Sequence, residues 1–379
     1  MTKYDYIILG AGASGLMLAY RMAQDSFFDD KSILIIDRVR DKGNDRTWCY
    51  WENGEGEWDH ILTKTWPKIF FGSEKYSDTI EIAPYSYKMI SSENFYDALW
   101  KVISKKSNIT FIESAVKSFN EHKDSVEVIT DKEHLTCGKL FNSIAKPDLY
   151  IKQKKYPVLQ QHFLGWFVKT KEEVFDDSIA TFMDFTIAQK GNTRFMYVLP
   201  MDKKTALFEY TLFSQDLLER SEYEDAIKQY LSERNISDYE IIEKEMGSIP
   251  MTSFKFFKLD SKHILNIGTA GGWTKASTGY TFRNTTKKTE KLLSFLKQEQ
   301  DLSKFNRMTK FWYYDLLFLD VLYKYNKEGA NLFASMFRKG NTNTIFKFLD
   351  EESSVIEDLK IITSVPSKRF IQSLLKRVF

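Results

Sequence analysis

Six residues near the start of the chain restrict its fold more than any others: Gly10-Ala11-Gly12-Ala13-Ser14-Gly15, a GxGxxG spacing. The run before it, Tyr4-Asp5-Tyr6-Ile7-Ile8-Leu9, is short, apolar and rich in β-branched residues, the pattern of a buried parallel strand. After it, Leu16, Met17, Ala19 and Tyr20 recur at helical spacing, and Ser32-Ile33-Leu34-Ile35-Ile36-Asp37 reads as a second buried strand ending in an acid. Strand, glycine turn, helix and strand form the opening βαβ unit of a doubly wound sheet. A lone GxGxxG is a weak signal, but this one has the right neighbours and an acid at the expected distance. Gly10 permits the tight turn, Gly12 lets backbone approach a pyrophosphate, and Gly15 allows close helix–strand packing. The phosphates are expected at the positive helix end near Ala13 and Ser14, with the ribose on Asp37.

A second glycine cluster, Ile267-Gly268-Thr269-Ala270-Gly271-Gly272-Trp273, follows the strand-like run His263–Ile267 and precedes a helix start near Tyr280-Thr281-Phe282. Such a turn brings backbone N–H groups towards phosphates or a flavin ring. Two strand–glycine–helix units at opposite ends of the chain favour FAD over NAD. With one dinucleotide fingerprint in the sequence, NAD(P)H has no evident permanent site.

Composition narrows the partners. Lys+Arg of 54 against Asp+Glu of 52 leaves a net charge of +2, which excludes a generally basic nucleic-acid binder. Two cysteines and five scattered histidines offer no disulfide framework and no metal-ligand spacing. No targeting segment or membrane-spanning run is visible, so a cytoplasmic protein meeting a membrane from its surface is expected. Aromatic residues reach 15%, with 30 Phe and 20 Tyr, which suggests large apolar surfaces to cover or a large apolar ligand to hold.

Two further features carry chemistry. Glu209 lies in Ala206-Leu207-Phe208-Glu209-Tyr210-Thr211-Leu212-Phe213, a strand otherwise apolar or aromatic. If that face is dry, desolvation raises the carboxyl pKa and suits it to proton transfer; if the face is wet, Glu209 simply points into water. The segment from Pro366 to Phe379 has Phe370, Ile371, Leu374, Leu375, Val378 and Phe379 on one helical face, opposite Lys368, Arg369, Lys376 and Arg377. Such a helix either lies on an anionic membrane or docks on the core with its basic face in water.

At this level the sequence resembles the bacterial type of the FAD-dependent lycopene β-cyclase family over nearly its whole length. Beyond the glycine fingerprint, the resemblance rests on Arg46-Thr47-Trp48-Cys49-Tyr50-Trp51, Leu159–Trp166, Met183-Asp184-Phe185, Phe195–Pro200 and the Glu209 strand. Ile267–Gly272 with Ser277–Phe282, and Phe346–Asp350, complete the order. The resemblance implies a flavoprotein that closes the linear ends of lycopene into β-rings without net redox change. Reduced FAD would be the active form, NAD(P)H the external reductant, and the polyene and a membrane surface the partners. It implies Glu209 as the acid–base residue, with Asp184 and Tyr210 as helpers. It implies a cofactor set of Gly10, Gly12, Ala13, Ser14, Gly15, Asp37, Arg38, Thr47, Trp48, Gly268, Ala270, Gly271 and Gly272, and no metal. Relatives often carry a second acid directly after the glutamate, where this chain has Tyr210.

The expected architecture is α/β: a Rossmann-like FAD-binding domain, an antiparallel β-sheet substrate domain and C-terminal helices, as in flavin monooxygenases. Residues 1–50, 85–150 and 255–300 are assigned to the first, 51–84 and 151–254 to the second, and 301–379 to a membrane-facing helical region. Rival readings are a flavin monooxygenase or polyprenyl reductase on the same fold, and a non-catalytic carotenoid- or flavin-binding membrane protein. Thr269, where monooxygenases usually place an aspartate, counts against the first rival.

Overall fold

The computed structural model describes residues 2–378; Met1 and Phe379, the latter assigned above to an apolar helical face, lie outside the described residues. The opening unit forms as its pattern dictates. Strand Thr2–Leu9 runs into helix Ala13–Gln24 and on to strand Ile33–Asp37, parallel to the first. Ile7, Ile8, Leu9 and Ile33 to Ile36 are wholly buried, because helices or further chain cover both faces of this sheet. Its strand order is Ile109–Glu113, Ile33–Asp37, Thr2–Leu9, His134–Asn142, then the antiparallel Val126–Thr130 and Val116–Glu121. The short strand Ile264–Asn266 joins in parallel beside Leu140–Asn142, so the second glycine turn leaves from the same sheet edge as the first.

A second seven-stranded sheet takes the order Tyr239–Thr252, Val158–Thr170, Thr205–Ser214, Thr193–Pro200, Ile179–Asp184, Lys68–Gly72, Asp78–Glu81. All its pairs are antiparallel except Ile179–Asp184 with Lys68–Gly72. Side chains alternate across it. Leu164, Trp166, Val168, Phe208, Tyr210 and Leu212 pack with Tyr223, Ile227, Tyr230 and Leu231 of helix Arg220–Glu233. The opposite face, with Phe167, Phe195, Tyr197, Leu207 and Phe213, joins the main core with residues of the C-terminal helices. Between the two large sheets sits a three-stranded sheet of Thr47–Asn53, Tyr85–Ser91 and Lys64–Trp66. From Phe282 on, the described chain is helical with short turns.

The last helix, Ser367–Val378, is oriented against expectation. Arg369 is paired with Glu328 at 2.9 Å and Arg377 with Asp320 at 2.5 Å, so these cations face the body. Ile371, Leu374 and Leu375 are about half exposed instead. Each arginine reaches its carboxylate with two N–H groups, and these forked pairs tie that side of the helix to the body.

The two inner glycines of the first turn differ in what they tolerate. A Cβ on Gly15 would overlap the Gly10 carbonyl oxygen and press on Ile8, whereas a Cβ on Gly12 meets nothing within 4 Å. Gly15→Ala is therefore predicted to cost about 1–3 kcal/mol of stability, while Gly12→Ala stays within about 0.5 kcal/mol of the parent. Thermal unfolding of the two variants side by side checks this; equal losses would contradict it.

Candidate active site

The two glycine turns open onto one cavity of about 620 Å³, whose far wall is the antiparallel sheet. Gly12, Ala13, Ser14, Gly268 and Thr269 line one end, and Phe163, Tyr197, Leu207, Glu209 and Glu245 the other. Thr47, Trp48, Cys49, Tyr87 and Tyr280 lie along its sides. Gly268 has φ +59°, and a Cβ there would strike the Ser14 side chain, so the two turns interlock only because it is glycine.

The turn end suits a pyrophosphate. Helix Ala13–Gln24 starts on Gly12 with no side-chain cap and no acid in its first turn, which leaves its first N–H groups open to an anion. The space beside Gly12 is a cradle that any side chain would fill. Gln161 Oε1 and Thr278 Oγ1, in the cavity wall, are buried without partners. Asp37 ends its strand as expected, but its Oδ2 accepts from the Ala11 N–H at 2.6 Å and from Lys42 Nζ at 2.9 Å. Burial works against its charge, yet the Lys42 and Ala11 hydrogen bonds win and hold its pKa below the usual value. Asp37 thus braces the turn directly, and Lys42 is the residue of this pair that lines the cavity.

Several residues of the expected cofactor set are not in the cavity wall. Gly10 packs its α-carbon against Ser143, and Gly15 packs against Gly10. Gly271 and Gly272 are bare because a Cβ would strike the Asn266 carbonyl oxygen and Phe256 respectively; they and the buried Ala270 are not among the cavity lining. Arg38 is exposed and also outside the lining. Thr47 and Trp48 do line it, Trp48 stacked on Phe282 with ring centroids 5.3 Å apart.

The sheet end holds a pair of acids. Tyr197, Glu209, Gly165 and Glu245 occupy one register row across four adjacent strands. Gly165 lies between the two glutamates in the sheet but puts no side chain between them. A Cβ there would lie 3.0 Å from Glu245 Cγ, so the bare backbone is what lets the carboxyls meet within hydrogen-bonding reach. The Thr211 hydroxyl donates to Glu209 Oε1 at 2.7 Å, and the Thr47 hydroxyl to Glu245 Oε2 at 2.8 Å. Burial, then the charge of Glu245, pushes the Glu209 pKa well above the carboxylate range. Burial also raises Glu245, to about 7, with the Thr47 hydrogen bond acting against the rise. Near neutrality the pair therefore holds a proton, as carboxyls that cannot both ionise do.

Around the pair, Tyr197 and Tyr87 place their hydroxyls 3.3 and 3.4 Å from that of Tyr280. Burial raises all three phenols and the Cys49 thiol, which stay neutral. Aromatic faces and neutral groups thus form a chamber around the acid pair.

The two expected helpers of Glu209 are not in this chamber. Tyr210 follows Glu209 in an extended strand and so points to the other face, where its hydroxyl accepts from Arg194 at 2.8 Å beneath helix Arg220–Glu233. Asp184 shares a strand with Phe182, but the register shifts between Thr181 and Asp184 and turns its side chain away. It is buried in a hydrogen-bonded pocket with Tyr230 at 2.8 Å and Arg234 at 2.9 Å, a structural ion pair. His162, from the Leu159–Trp166 segment, also faces that side, bonded to Ser214 and Tyr223. Sequence reasoning missed Glu245. The signal was Gly165, an isolated strand glycine that marks close approach by another group. Among the described residues no cluster of three or more ligands could hold a metal ion.

Comparison with known proteins identifies the fold and the family. The fold is that of FAD-dependent oxidoreductases and monooxygenases. A geranylgeranyl bacteriochlorophyll reductase-like protein from Thermoplasma acidophilum superposes with a TM-score of 0.62 at 11% identity, covering 99% of this chain and 98% of that one. A variant of HpxO from Klebsiella pneumoniae complexed with FAD gives 0.57 at 14% identity, covering 97% and 100%. In sequence, lycopene beta-cyclase of Pseudescherichia vulneris is 23% identical over 289 residues, 73% of this chain and 70% of the relative. The family model for lycopene cyclase protein matches residues 5–375, and with the interlocked glycine turns and the buried carboxyls facing one cavity, the chain belongs to that family.

Proposed function

We propose that the protein is an FAD-dependent lycopene β-cyclase, an isomerising lyase that converts the linear ends of lycopene or a similar C40 polyene into β-rings. The observation that carries this reading is Glu209: a carboxyl that keeps its proton near neutrality, in the same apolar cavity as an open dinucleotide cradle. Gly12, Ala13, Ser14 and Gly268 would hold the pyrophosphate end of FAD, with Thr47 and Trp48 alongside. Bound in its reduced, anionic form, the flavin supplies negative charge beside a cationic substrate.

The residues of the chain supply the rest. Glu209 gives its proton to C2 of the terminal C1=C2 bond, leaving a cation at C1. The C5=C6 π pair then forms the C1–C6 bond and moves the charge to C5. Loss of the C6 proton to a carboxylate restores the C5=C6 double bond, so the product is an isomer and no electron is consumed. Water would quench either cation; the buried Tyr197, Leu207 and Tyr87 and the partly buried Tyr280 line the cavity against it, and the tyrosine ring faces favour positive charge.

Access to a bilayer-resident polyene is assigned to the C-terminal helices, with the protein cytoplasmic and bound to the inner membrane face. Among the described residues no helix is long and apolar enough to cross a membrane. The half-exposed Ile371, Leu374 and Leu375, with Lys368 and Lys376 exposed on the same helix, suit insertion into an interface.

Three outcomes are predicted. Anaerobic protein given lycopene, FAD and NADPH should form cyclised product with nicotinamide oxidised only to prime the flavin; stoichiometric nicotinamide consumption would favour a reductase or monooxygenase. Glu209→Gln should keep its flavin and lose turnover by about 10²–10⁴-fold, and Gly12→Ala should lose flavin without losing stability; near-normal turnover by the first would move the proton chemistry elsewhere. Replacing Ile371, Leu374 and Leu375 together by Ser should reduce co-sedimentation with anionic liposomes without changing thermal unfolding, whereas equal binding would assign the helix to the protein core alone.

A further inference from the structure

Cyclisation needs an acid at one carbon and a base at another, and the residue after Glu209 is a tyrosine facing the wrong side of the sheet. The structure brings a second carboxyl from a strand further along the chain. Glu245 shares the register row of Glu209 across Gly165, lines the same cavity and meets Glu209 directly. We propose that Glu245 is the second catalytic carboxyl of this site: Glu209 gives the proton that starts ring closure, and Glu245 takes the proton that ends it. This rests on the cyclase reading above.

The division of labour follows from the surroundings. Thr47 donates its hydroxyl to Glu245 at 2.8 Å, and Arg46 adds positive charge nearby; both favour the ionised form. Glu209 has the Thr211 hydroxyl but suffers both burial and the charge of its neighbour. Of the two, Glu209 therefore holds its proton more tightly and Glu245 ionises first. Other titratable groups facing the pair are Cys49, Tyr87, Tyr197 and Tyr280, all neutral, and Glu243, whose negative charge is felt by Glu245.

Proton bookkeeping closes. When Glu209 protonates C2, two carboxylates face each other, a repulsive state that makes the pair strongly basic. Glu245 then accepts the C6 proton as the C–H electron pair becomes the new C5=C6 π bond. Transfer of that proton along the Glu245–Glu209 hydrogen bond resets the site, with no net proton taken from solvent. One pair performs both steps, and Tyr210 needs no acid function.

The pH dependence has a definite sign. Glu245 is a base only when ionised, so turnover should rise as pH increases through about 7, the value to which its pKa is pushed. It should fall again at the higher pH where Glu209 finally loses its proton.

The test compares wild type with Glu245→Gln, Glu245→Asp and Thr47→Val, all as flavin-loaded protein. Glu245→Gln should retain flavin and lose about 10²-fold or more in cyclisation, and the acid limb near neutrality should vanish from its rate profile. Glu245→Asp should recover part of the rate and the limb. Thr47→Val, lacking the hydroxyl that favours the anion, should shift the limb upward. Independently of activity, infrared carbonyl bands of the protein without substrate should show two coupled carboxyl titrations, one of them lost in Glu245→Gln with the other moved downward. Wild-type turnover by Glu245→Gln, or carboxyls titrating independently in the ordinary range, overturns the proposal. If wild type makes no cyclic product, the cyclase reading falls and the infrared titration alone decides whether Glu209 and Glu245 share a proton.

Discussion

Taking two carboxyls out of water and setting them side by side is the constraint around which the cavity is organised. A lone buried anion costs several kcal/mol, so such a pair persists only by retaining a proton. The neighbours keep it that way: strand Thr47–Asn53 brings the Thr47 hydroxyl and Cys49, strand Tyr85–Ser91 brings Tyr87, and the loop before helix Phe282–Gln298 brings Tyr280. None adds a formal charge at the pair. The small bridging sheet, which belongs to neither large sheet, thereby supplies one side of the chamber.

The division of the antiparallel sheet into two faces explains which residues sequence reading placed well. The glycine turn, the strand ending in Asp37 and the hairpin of Thr193–Pro200 with Thr205–Ser214 are local patterns, and local patterns are legible without a fold. The dry setting of Glu209 was legible as an alternative, and only the opposite wall of the cavity decides between the two. Tyr210 is different: strict alternation already forbids it the face of Glu209, a rule the family resemblance overrode. Asp184 needed knowledge of an irregular register, which no side-chain pattern announces. Glu245 needed the pairing of its strand with Val158–Thr170, about 80 residues earlier and the neighbour it shares with the Glu209 strand, which alternation within one strand cannot supply.

Glycines in this chain serve three separate purposes that share one spelling. Gly12 leaves room for a ligand, Gly15 and Gly271 leave room for backbone oxygens, and Gly165 leaves room for another residue's carboxyl. The GxGxxG pattern predicts the first two at the N-terminal turn from their spacing. Near residue 270 the same composition suggested a cofactor contact, yet Gly271 and Gly272 answer to internal packing. The physical distinction lies in what the missing Cβ would touch, and that is visible only once the partners are in place.

The strand Tyr239–Thr252 that supplies Glu245 lies at the border of its sheet, bonded to a single neighbour, and carries an extra residue, Ile242, opposite the Phe167–Val168 step. Borders of sheets open more readily than interiors. Glu245 reaches Glu209 only through the pairing of this strand with Val158–Thr170. The negative charge that helps Glu209 keep its proton is thereby supplied from the border of the sheet, and an outward displacement of that border would weaken the hold.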